Sequence, residues 1–140
     1  MKIEEQVLSI EQMKHLQELG VDTSDASMAW YMSPNTNQWK IKIKDKFAHE
    51  MLRRISPERY IPTYTTGDLI EKLPKHINGW NDNRLVIDGD EDADYWYVVY
   101  KNRYEHSETE YFDSENLLTA LYNLLCWVAE THKELLEVKK

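Results

Sequence analysis

The sequence predicts an α+β fold, a two-layer sandwich of one mostly antiparallel sheet and packed helices. Two observations support this prediction. A capping-box pattern, in which a capping residue is followed three positions later by a polar residue that can reach back, occurs three times along the chain; we call each one a helix-start box. Aromatic-rich stretches typical of paired strands fill the gaps between these boxes. The resulting order is helix–hairpin–helix–hairpin–helix. We expect the two hairpins to supply one sheet of about four strands, packed by a long C-terminal helix and shorter helices.

The first helix-start box consists of Ser9 and Gln12. The serine oxygen can accept from an orphan N–H group of the first turn, and the glutamine can reach back to the serine. Apolar residues then recur at helical spacing until Gly20, a residue type that commonly ends a helix in the left-handed conformation. The pattern predicts a helix over Ile10–Leu19.

The first hairpin is predicted over Met28–Met32 and Gln38–Lys44, which flank a turn-rich segment. Its second strand alternates, so one set of residues should face the core and the other water. The inward set is Trp39, Ile41 and Ile43, and the outward set is Lys40, Lys42 and Lys44. Within Asp45–Tyr60, helical spacing predicts a short helix that ends before Ser56 and Pro57.

Thr65 and Asp68 form the second box, and the apolar spacing behind them predicts a helix over Thr66–Leu73. The second hairpin is predicted over Arg84–Asp88 and Asp94–Lys101. Its second strand has large apolar or aromatic residues at consecutive positions, without alternation. Such a strand is usually central in its sheet or covered on both faces.

Asp113 and Asn116 form the third box, and the widest apolar stripe of the chain follows them. The stripe predicts a well-buried helix from about Ser114 to His132. We expect Lys133–Lys140 to be a frayed tail.

Length and composition are those of an ordinary globular protein, and they predict a single α+β domain that spans residues 1–140. The net charge of −8 disfavours binding of nucleic acid or an anionic membrane by the whole surface and permits a basic partner. One cysteine excludes an internal disulfide. The N-terminal segment does not resemble a secretory signal, and no apolar stretch is long enough to span a membrane, so we expect a cytoplasmic location.

The acidic run Asp88–Asp94 alternates carboxylates, as the oxygen ligands of a calcium loop do. However, Ala93 stands where that loop needs glycine, and Val99 stands where it needs glutamate. We interpret the run as a solvated hairpin tip, with weak calcium or magnesium binding as the alternative.

Other reactive residue types show no recognisable motif. Cys126 lies in an apolar helical run and is expected to be buried rather than catalytic. Five histidines lack metal-ligand spacing: His15, His49, His76, His106 and His132. Lys40, Lys42 and Lys44 form a lysine stripe, and Tyr31 is expected on the same face. We interpret these lysines as protecting an edge strand from pairing with other chains, and binding of single-stranded nucleic acid is the alternative. The sequence assigns no catalytic, cofactor-binding or metal-ligating residue, and no cofactor is expected.

Residues outside the helix-start boxes are the candidates for an interaction surface, because surplus aromatics and charged clusters are typical of interfaces. The candidate residues are Trp80, Tyr95, Tyr97, Lys40, Lys42, Lys44, Asp90, Glu91 and Asp92.

Helix caps, apolar stripes and a stop proline occur in three segments: Ser9–Ser24, Ile61–Pro74 and Asn116–Trp127. In that order the segments resemble a family of small uncharacterised proteins from gut anaerobes and their phages or mobile elements. That family has no established activity, so no functional residue is transferred. The resemblance implies a mobile-element setting and favours an interaction protein over a metabolic enzyme.

Three function classes follow from these observations. The first is a non-enzymatic interaction or accessory protein that binds another macromolecule, and we expect that partner to be a protein. The second is an acidic decoy or inhibitor, such as a nucleic-acid mimic or a toxin immunity protein, that occupies a basic site. The third is an enzyme whose site assembles only in three dimensions. Homodimerisation through the Tyr95–Tyr100 strand is compatible with all three classes.

Overall fold

The structure, a computed structural model, describes residues 5–44, 54, 57–77, 83–89, 94–102 and 112–136. Its helices and antiparallel strands confirm the α+β class. The elements are α1 (Ile10–Glu18), β1 (Met28–Met32), β2 (Trp39–Ile43), β3 (Tyr60–Thr63), α2 (Thr66–Lys72), β4 (His76–Ile77), β5 (Asn83–Gly89), β6 (Trp96–Asn102), β7 (Phe112–Ser114) and α3 (Leu117–Thr131). Residues 1–68 and 69–140 form two compact units, unit 1 and unit 2, and each is described by itself.

Two antiparallel sheets take the place of the single four-stranded sheet that the sequence predicted. Unit 1 contains the order β2-β1-β3, and unit 2 contains the order β4-β5-β6-β7. Each hairpin therefore forms part of its own sheet and gains further short strands from elsewhere in the chain. Alternation along a strand determines which side chains share a face, but it does not determine which edges pair.

The first two helix-start boxes form as predicted. The Ser9 hydroxyl accepts from the Gln12 N–H at 3.1 Å, and the Gln12 side chain accepts from the Ser9 N–H at 2.9 Å. Gly20 has a φ of 88°, which ends α1 at the predicted place. Thr65 and Asp68 form the same reciprocal pair at the start of α2, with distances of 3.0 and 3.1 Å.

Asp68 also connects the start of α2 to the start of β1. Its carboxylate accepts from the Ser27 N–H at 3.1 Å and from the Ser27 hydroxyl at 2.6 Å, in addition to the Thr65 N–H. Hydrogen bonds to a carboxylate are stronger than neutral ones. This one side chain therefore fixes both the helix start and the entry into the first sheet.

The core of unit 1 is organised around the main chain of Leu8, whose side chain is fully buried. The Leu8 N–H donates to the Tyr64 carbonyl at 3.0 Å. The Leu8 carbonyl accepts from the Trp30 indole N–H at 2.8 Å and from the Thr63 hydroxyl at 2.7 Å. Buried backbone groups require such partners, and here two strands of the sheet provide them.

The β2 strand alternates as predicted, but its apolar side is not a buried core face. Register places Ile41 and Ile43 beside Trp30 and Met28 on one side of the sheet. However, Ile41 is only partly buried, and Ile43 is 76% exposed. The reason is that β2 is the edge strand of the sheet, and the buried residues of unit 1 lie nearer β1 and β3.

The β6 strand is central, which confirms the prediction from its missing alternation. It pairs with β5 along its whole length and with β7 at its start. Val98, Val99 and Tyr100 are consecutive and fully buried, so both faces of the middle of the strand are covered. On the α3 side, the Tyr100 and Trp127 rings lie 6.4 Å apart between centroids.

The prediction that Asp113 and Asn116 form a third helix-start box is wrong. Asp113 does not cap a helix, because Phe112–Ser114 pairs with the start of β6 as β7. Asn116 is the actual cap of α3, and its side chain accepts from the Leu118 N–H at 2.8 Å. The helix therefore begins at Leu117, three residues later than predicted.

The segment after α3 begins with a 3-10 helix, Lys133–Leu136, where the sequence predicted a frayed tail. A second 3-10 helix, Pro57–Arg59, precedes β3. The short helix predicted within Asp45–Tyr60 lies almost entirely outside the described residues. None of the helices in the described part of the chain has the length and apolar character needed to cross a membrane.

Candidate functional site

The start of β6 exposes an aromatic pair at one end of the second sheet. The Tyr95 and Trp96 side chains are 42% and 41% exposed, and they are the large aromatic side chains that stand out as exposed among the described residues. Register places Trp96 between Gly89 of β5 and Ser114 of β7. Neither neighbour has a side chain large enough to cover an indole, so Trp96 remains open to solvent.

The space beside Trp96 is open because of Gly89. A Cβ atom placed on Gly89 would meet no atom within 4 Å. Neighbouring strands lie only about 4.8 Å apart, so this open space adjoins the Trp96 side chain on the same face of the sheet. The exposed indole and the adjacent open position form one surface feature, made of Trp96, Gly89 and Ser114, which we call the Trp96 slot.

Carboxylates lie around the same end of the sheet. The neighbouring row places Tyr97 between Asp88 and Asp113, on the opposite face from Trp96. Both aspartates are exposed, as is Asp94, two residues before Trp96. Exposed charges act over about a Debye length, roughly 8 Å at physiological salt. The carboxylates can therefore attract a cation to this end of the sheet without contacting the indole.

Tyr97 is less accessible than the Tyr95–Trp96 pair. It is half-buried, and the Lys101 ammonium lies 5.5 Å from its ring centroid, within cation–π range. Tyr97 and Lys101 lie on either side of the fully buried Val99, on the same face of β6. We therefore assign Tyr97 mainly to covering that face.

The negative charge of the protein is concentrated in unit 2. Residues 69–140 contain 8 Lys and Arg against 15 Asp and Glu, a net charge of −7. Residues 1–68 contain 9 Lys and Arg against 10 Asp and Glu, a net charge of −1. The Trp96 slot thus belongs to the more acidic half of the chain, whose net charge favours cations over anions.

The ionisable groups with a shifted pKa, among the described residues, are shifted upward. Burial raises the pKa of Tyr64, Tyr100 and Tyr122, and at Tyr64 a 2.6 Å hydrogen bond to Asp25 raises it further. Burial also raises the pKa of the Cys126 thiol, although the half-buried side chain is more accessible than predicted. Each group remains protonated at neutral pH, so none of them is activated as a nucleophile or general base.

The lysine stripe of β2 is engaged in local contacts. The Lys42 ammonium lies 4.7 Å from the Tyr31 ring centroid, which places the two on one face as predicted. The Lys44 ammonium donates to the Ser24 carbonyl. Lys40 is exposed and lies opposite Tyr31 in the register. These positions agree with lysines that protect an edge strand.

Several predicted site residues lie outside the described residues. They are Trp80, Asp90, Glu91 and Asp92, together with His49 and His106. The calcium-loop alternative for Asp88–Asp94 depends on the same stretch and stays a prediction. Within the described part of the chain, no three or more His, Cys, Asp or Glu side chains come together in a way that could hold a metal ion.

A cavity of about 490 Å³ lies in unit 1 between α1, the following loop and β3. Its lining combines the charged residues Lys14, Asp22 and Glu58 with apolar surface from Pro62. The Thr23 hydroxyl in this lining accepts from the Gln17 side-chain amide at 3.2 Å. Charges of both signs line the cavity, so it does not select a ligand of one charge.

Sequence reasoning singled out Tyr95 and Tyr97 but missed the residues that make Trp96 accessible. Gly89 and Ser114 matter only because the register places them beside Trp96. A glycine at the end of a predicted strand, as at Gly89, was the available signal, because glycine in a strand often marks a close approach of another group.

Comparison with known proteins gives no relative for this chain. No protein-family model, no curated protein and no solved structure matches it.

Proposed function

We propose that this protein is a non-enzymatic interaction protein that binds a basic protein partner through unit 2. The observation that carries the proposal is the exposed Trp96 indole beside the open position at Gly89. Exposed tryptophan is a frequent anchor of protein interfaces, because its large ring buries much apolar area when a partner covers it.

The chemistry of the slot favours an arginine side chain from the partner. A guanidinium is planar and can stack on an indole face, and it retains its charge at all physiological pH values. The carboxylates of Asp88, Asp94 and Asp113 are exposed and would steer the cation toward this end of the sheet. The charge of −7 on unit 2 acts in the same direction.

The acidic decoy is the specific form of this function in which the basic partner normally binds nucleic acid. It requires the same slot and the same charge, and differs only in the identity of the partner. A mobile-element setting, as the family resemblance implies, fits an accessory protein of this kind.

Binding of nona-arginine and nona-lysine peptides to the full chain tests the proposal, measured by fluorescence anisotropy of labelled peptide. We expect nona-arginine to bind more tightly and both affinities to fall steeply between 50 and 200 mM salt, roughly as expected for multiple ion contacts. Truncation of a tryptophan anchor costs about 2 kcal/mol or more, so Trp96→Ala should weaken nona-arginine binding by at least tenfold.

Leu135→Ala is the matched control for the Trp96 variant. Leu135 is an exposed aliphatic residue of unit 2, at 39%, and it lies in the 3-10 helix that follows α3. Its truncation should leave binding unchanged. Equal affinity for the two peptides, or wild-type binding by Trp96→Ala, would contradict the proposal.

A further inference from the structure

β2 and β3 are the two edge strands of the first sheet, and they differ in the backbone N–H donors that they can offer to a further strand. In the order β2-β1-β3, β2 has β1 as its neighbour among the described strands. The opposite edge, β3, contains Pro62, which has no backbone N–H to offer to another strand. The β2 edge has no proline, so it retains the donors needed to add a strand.

The hydrogen-bond register of β2 follows from two bonds at its ends. The Ser33 N–H donates to the Gln38 carbonyl at 3.1 Å, and the Lys44 N–H donates to the Ser27 carbonyl at 3.0 Å. Hydrogen-bonded and non-hydrogen-bonded pairs alternate along an antiparallel ladder. Lys40 and Lys42 are therefore the β2 residues whose backbone groups point toward β1.

The intervening residues point their backbone groups the other way. The N–H and C=O groups of Trp39, Ile41 and Ile43 lie along the outer edge of the sheet. The same alternation of hydrogen-bonded pairs, carried across β1, places the backbone of Pro62 on the outer edge of β3. The missing N–H of Pro62 therefore costs no hydrogen bond between β3 and β1. The agreement at Pro62 supports the deduced register.

The side chains at this edge give the strand two chemically distinct faces. Trp39, Ile41 and Ile43 form an apolar row, and Ile43 is 76% exposed. Lys40 and Lys42 point to the opposite face, and both are exposed. A strand added here would place alternate residues beside the apolar row and beside the lysines.

A second copy of the same strand fits this edge poorly. Antiparallel pairing of two β2 strands about Ile41 would place Lys40 of each copy directly opposite Lys42 of the other. Like charges opposite each other destabilise a strand pair, and edge lysines commonly prevent such self-pairing. The charges instead complement carboxylates.

We propose that the β2 edge binds an extended acidic peptide segment of a partner protein, in which apolar and acidic residues alternate. The segment adds as an antiparallel fourth strand and exchanges backbone hydrogen bonds with Trp39, Ile41 and Ile43. Its apolar residues extend the Trp39–Ile43 row, and its carboxylates lie opposite Lys40 and Lys42. This site is separate from the Trp96 slot and requires the opposite partner charge, so the two proposals stand or fall independently.

The test uses the full chain and blocked peptides with free charges only on the side chains. The probe is the alternating hexapeptide (Val-Glu)3. One control is (Val-Lys)3, and the second is Val-Val-Val-Glu-Glu-Glu, which has the same composition and charge without the alternation. We expect (Val-Glu)3 to bind at least tenfold more tightly than either control. Equal binding of the block-sequence control would overturn the proposal.

Two substitutions separate the backbone and charge contributions. Ile41→Pro removes an outward N–H and leaves the ladder to β1 intact, so the fold is retained and (Val-Glu)3 affinity falls at least tenfold. Lys40→Glu should weaken (Val-Glu)3 binding roughly fivefold and improve (Val-Lys)3 binding. Circular dichroism verifies the fold of each variant. Failure of Lys40→Glu to reverse the charge preference would refute the proposed complementarity.

Amide hydrogen exchange tests the register directly. In the free protein, the Lys40 and Lys42 amides should be protected, and those of Ile41 and Ile43 should exchange rapidly. Addition of (Val-Glu)3 should slow exchange at Ile41 and Ile43. If these two amides are already protected without peptide, or if light scattering shows a dimer instead, the edge has another occupant and the proposal is wrong.

Discussion

Replacement of Gly89 by valine separates stability from binding at the Trp96 slot. A Cβ at this position meets nothing within 4 Å, and the Gly89 φ is not positive, so Gly89→Val enters open space without backbone strain. The new side chain lies across from Trp96 on the same face of the sheet. It therefore occupies the space that the proposed arginine would fill.

The expected stability change is an increase. Glycine in a strand costs about 0.5–1 kcal/mol relative to alanine, and a β-branched residue beside an aromatic one adds about 0.2–1 kcal/mol. We expect Gly89→Val to raise the free energy of unfolding by about 1 kcal/mol, which corresponds to about 4 °C in Tm for a chain of this size. Binding of nona-arginine should nevertheless weaken by at least tenfold, because the slot is filled.

Gly67→Ala is the matched control. A Cβ there comes no closer than 3.8 Å to the Thr65 hydroxyl, and the position lies within α2, where alanine is favoured over glycine by up to about 1 kcal/mol. It should raise stability similarly and leave peptide binding unchanged. Urea unfolding and peptide anisotropy measure the two quantities. If Gly89→Val binds nona-arginine like the wild type, the assignment of the slot is refuted.

Three further predictions concern stability of unit 1. Thr63→Val should lower the free energy of unfolding by about 1 kcal/mol, and Trp30→Phe should lower it by about 2 kcal/mol. In urea unfolding, the double variant should lose about 1–2 kcal/mol more than the sum of the two, because the buried Leu8 carbonyl then loses both side-chain donors. Strict additivity of the two substitutions would contradict this prediction. Burial raises the pKa of Tyr64 above its ordinary value of about 10, so the stability that Tyr64 contributes is complete below pH 10 and declines above it as the unfolded chain releases its proton first; Tyr64→Phe should reduce this decline in alkaline unfolding curves, and an unchanged slope would contradict the assignment. Asp68→Ala should cost about 2–3 kcal/mol of unfolding free energy, because three donors lose a carboxylate acceptor, and a loss below 0.5 kcal/mol, typical of surface sites, would show that these bonds contribute little.

Local patterns predicted the elements whose determinants lie within one segment. The Ser9 and Thr65 boxes form because each needs only a residue three positions away. The central position of β6 was predictable because the residues on both faces of the strand are large and apolar or aromatic. In each case the information needed was present in a window of a few residues.

Non-local pairing explains the predictions that failed. Asp113 has the residue types of a helix cap around it, but Phe112–Ser114 pairs with β6, some 16 residues away in the sequence. Likewise, the pairing of Tyr60–Thr63 with β1 separates the hairpins into two sheets. Register and edge pairing depend on contacts between distant segments, which local periodicity does not encode.

The candidate site combines a predictable and an unpredictable part. The surplus aromatics made Tyr95 a candidate for an interaction surface, and Tyr95 is exposed in the structure. Whether a given ring of the β6 strand is open depends on the size of its cross-strand neighbours. Tyr100 lies opposite Leu85 and is buried, whereas Trp96 lies opposite Gly89 and is open. The exposure of an aromatic residue in β6 therefore depends on residues of other segments, which the sequence of β6 alone does not show.

The two proposed surfaces imply a division of charge within one small chain. The lysine-bearing β2 edge lies in unit 1, which is nearly neutral, whereas the Trp96 slot lies in unit 2, which carries a charge of −7. Charge alone would allow the lysines of one copy to attract the acidic unit of another, and such a head-to-tail contact generates open assemblies. Strand addition at β2 requires more than charge, because it also needs an alternating extended segment with available backbone groups. That additional requirement lets an acidic chain retain a basic edge without directing the edge toward its own copies.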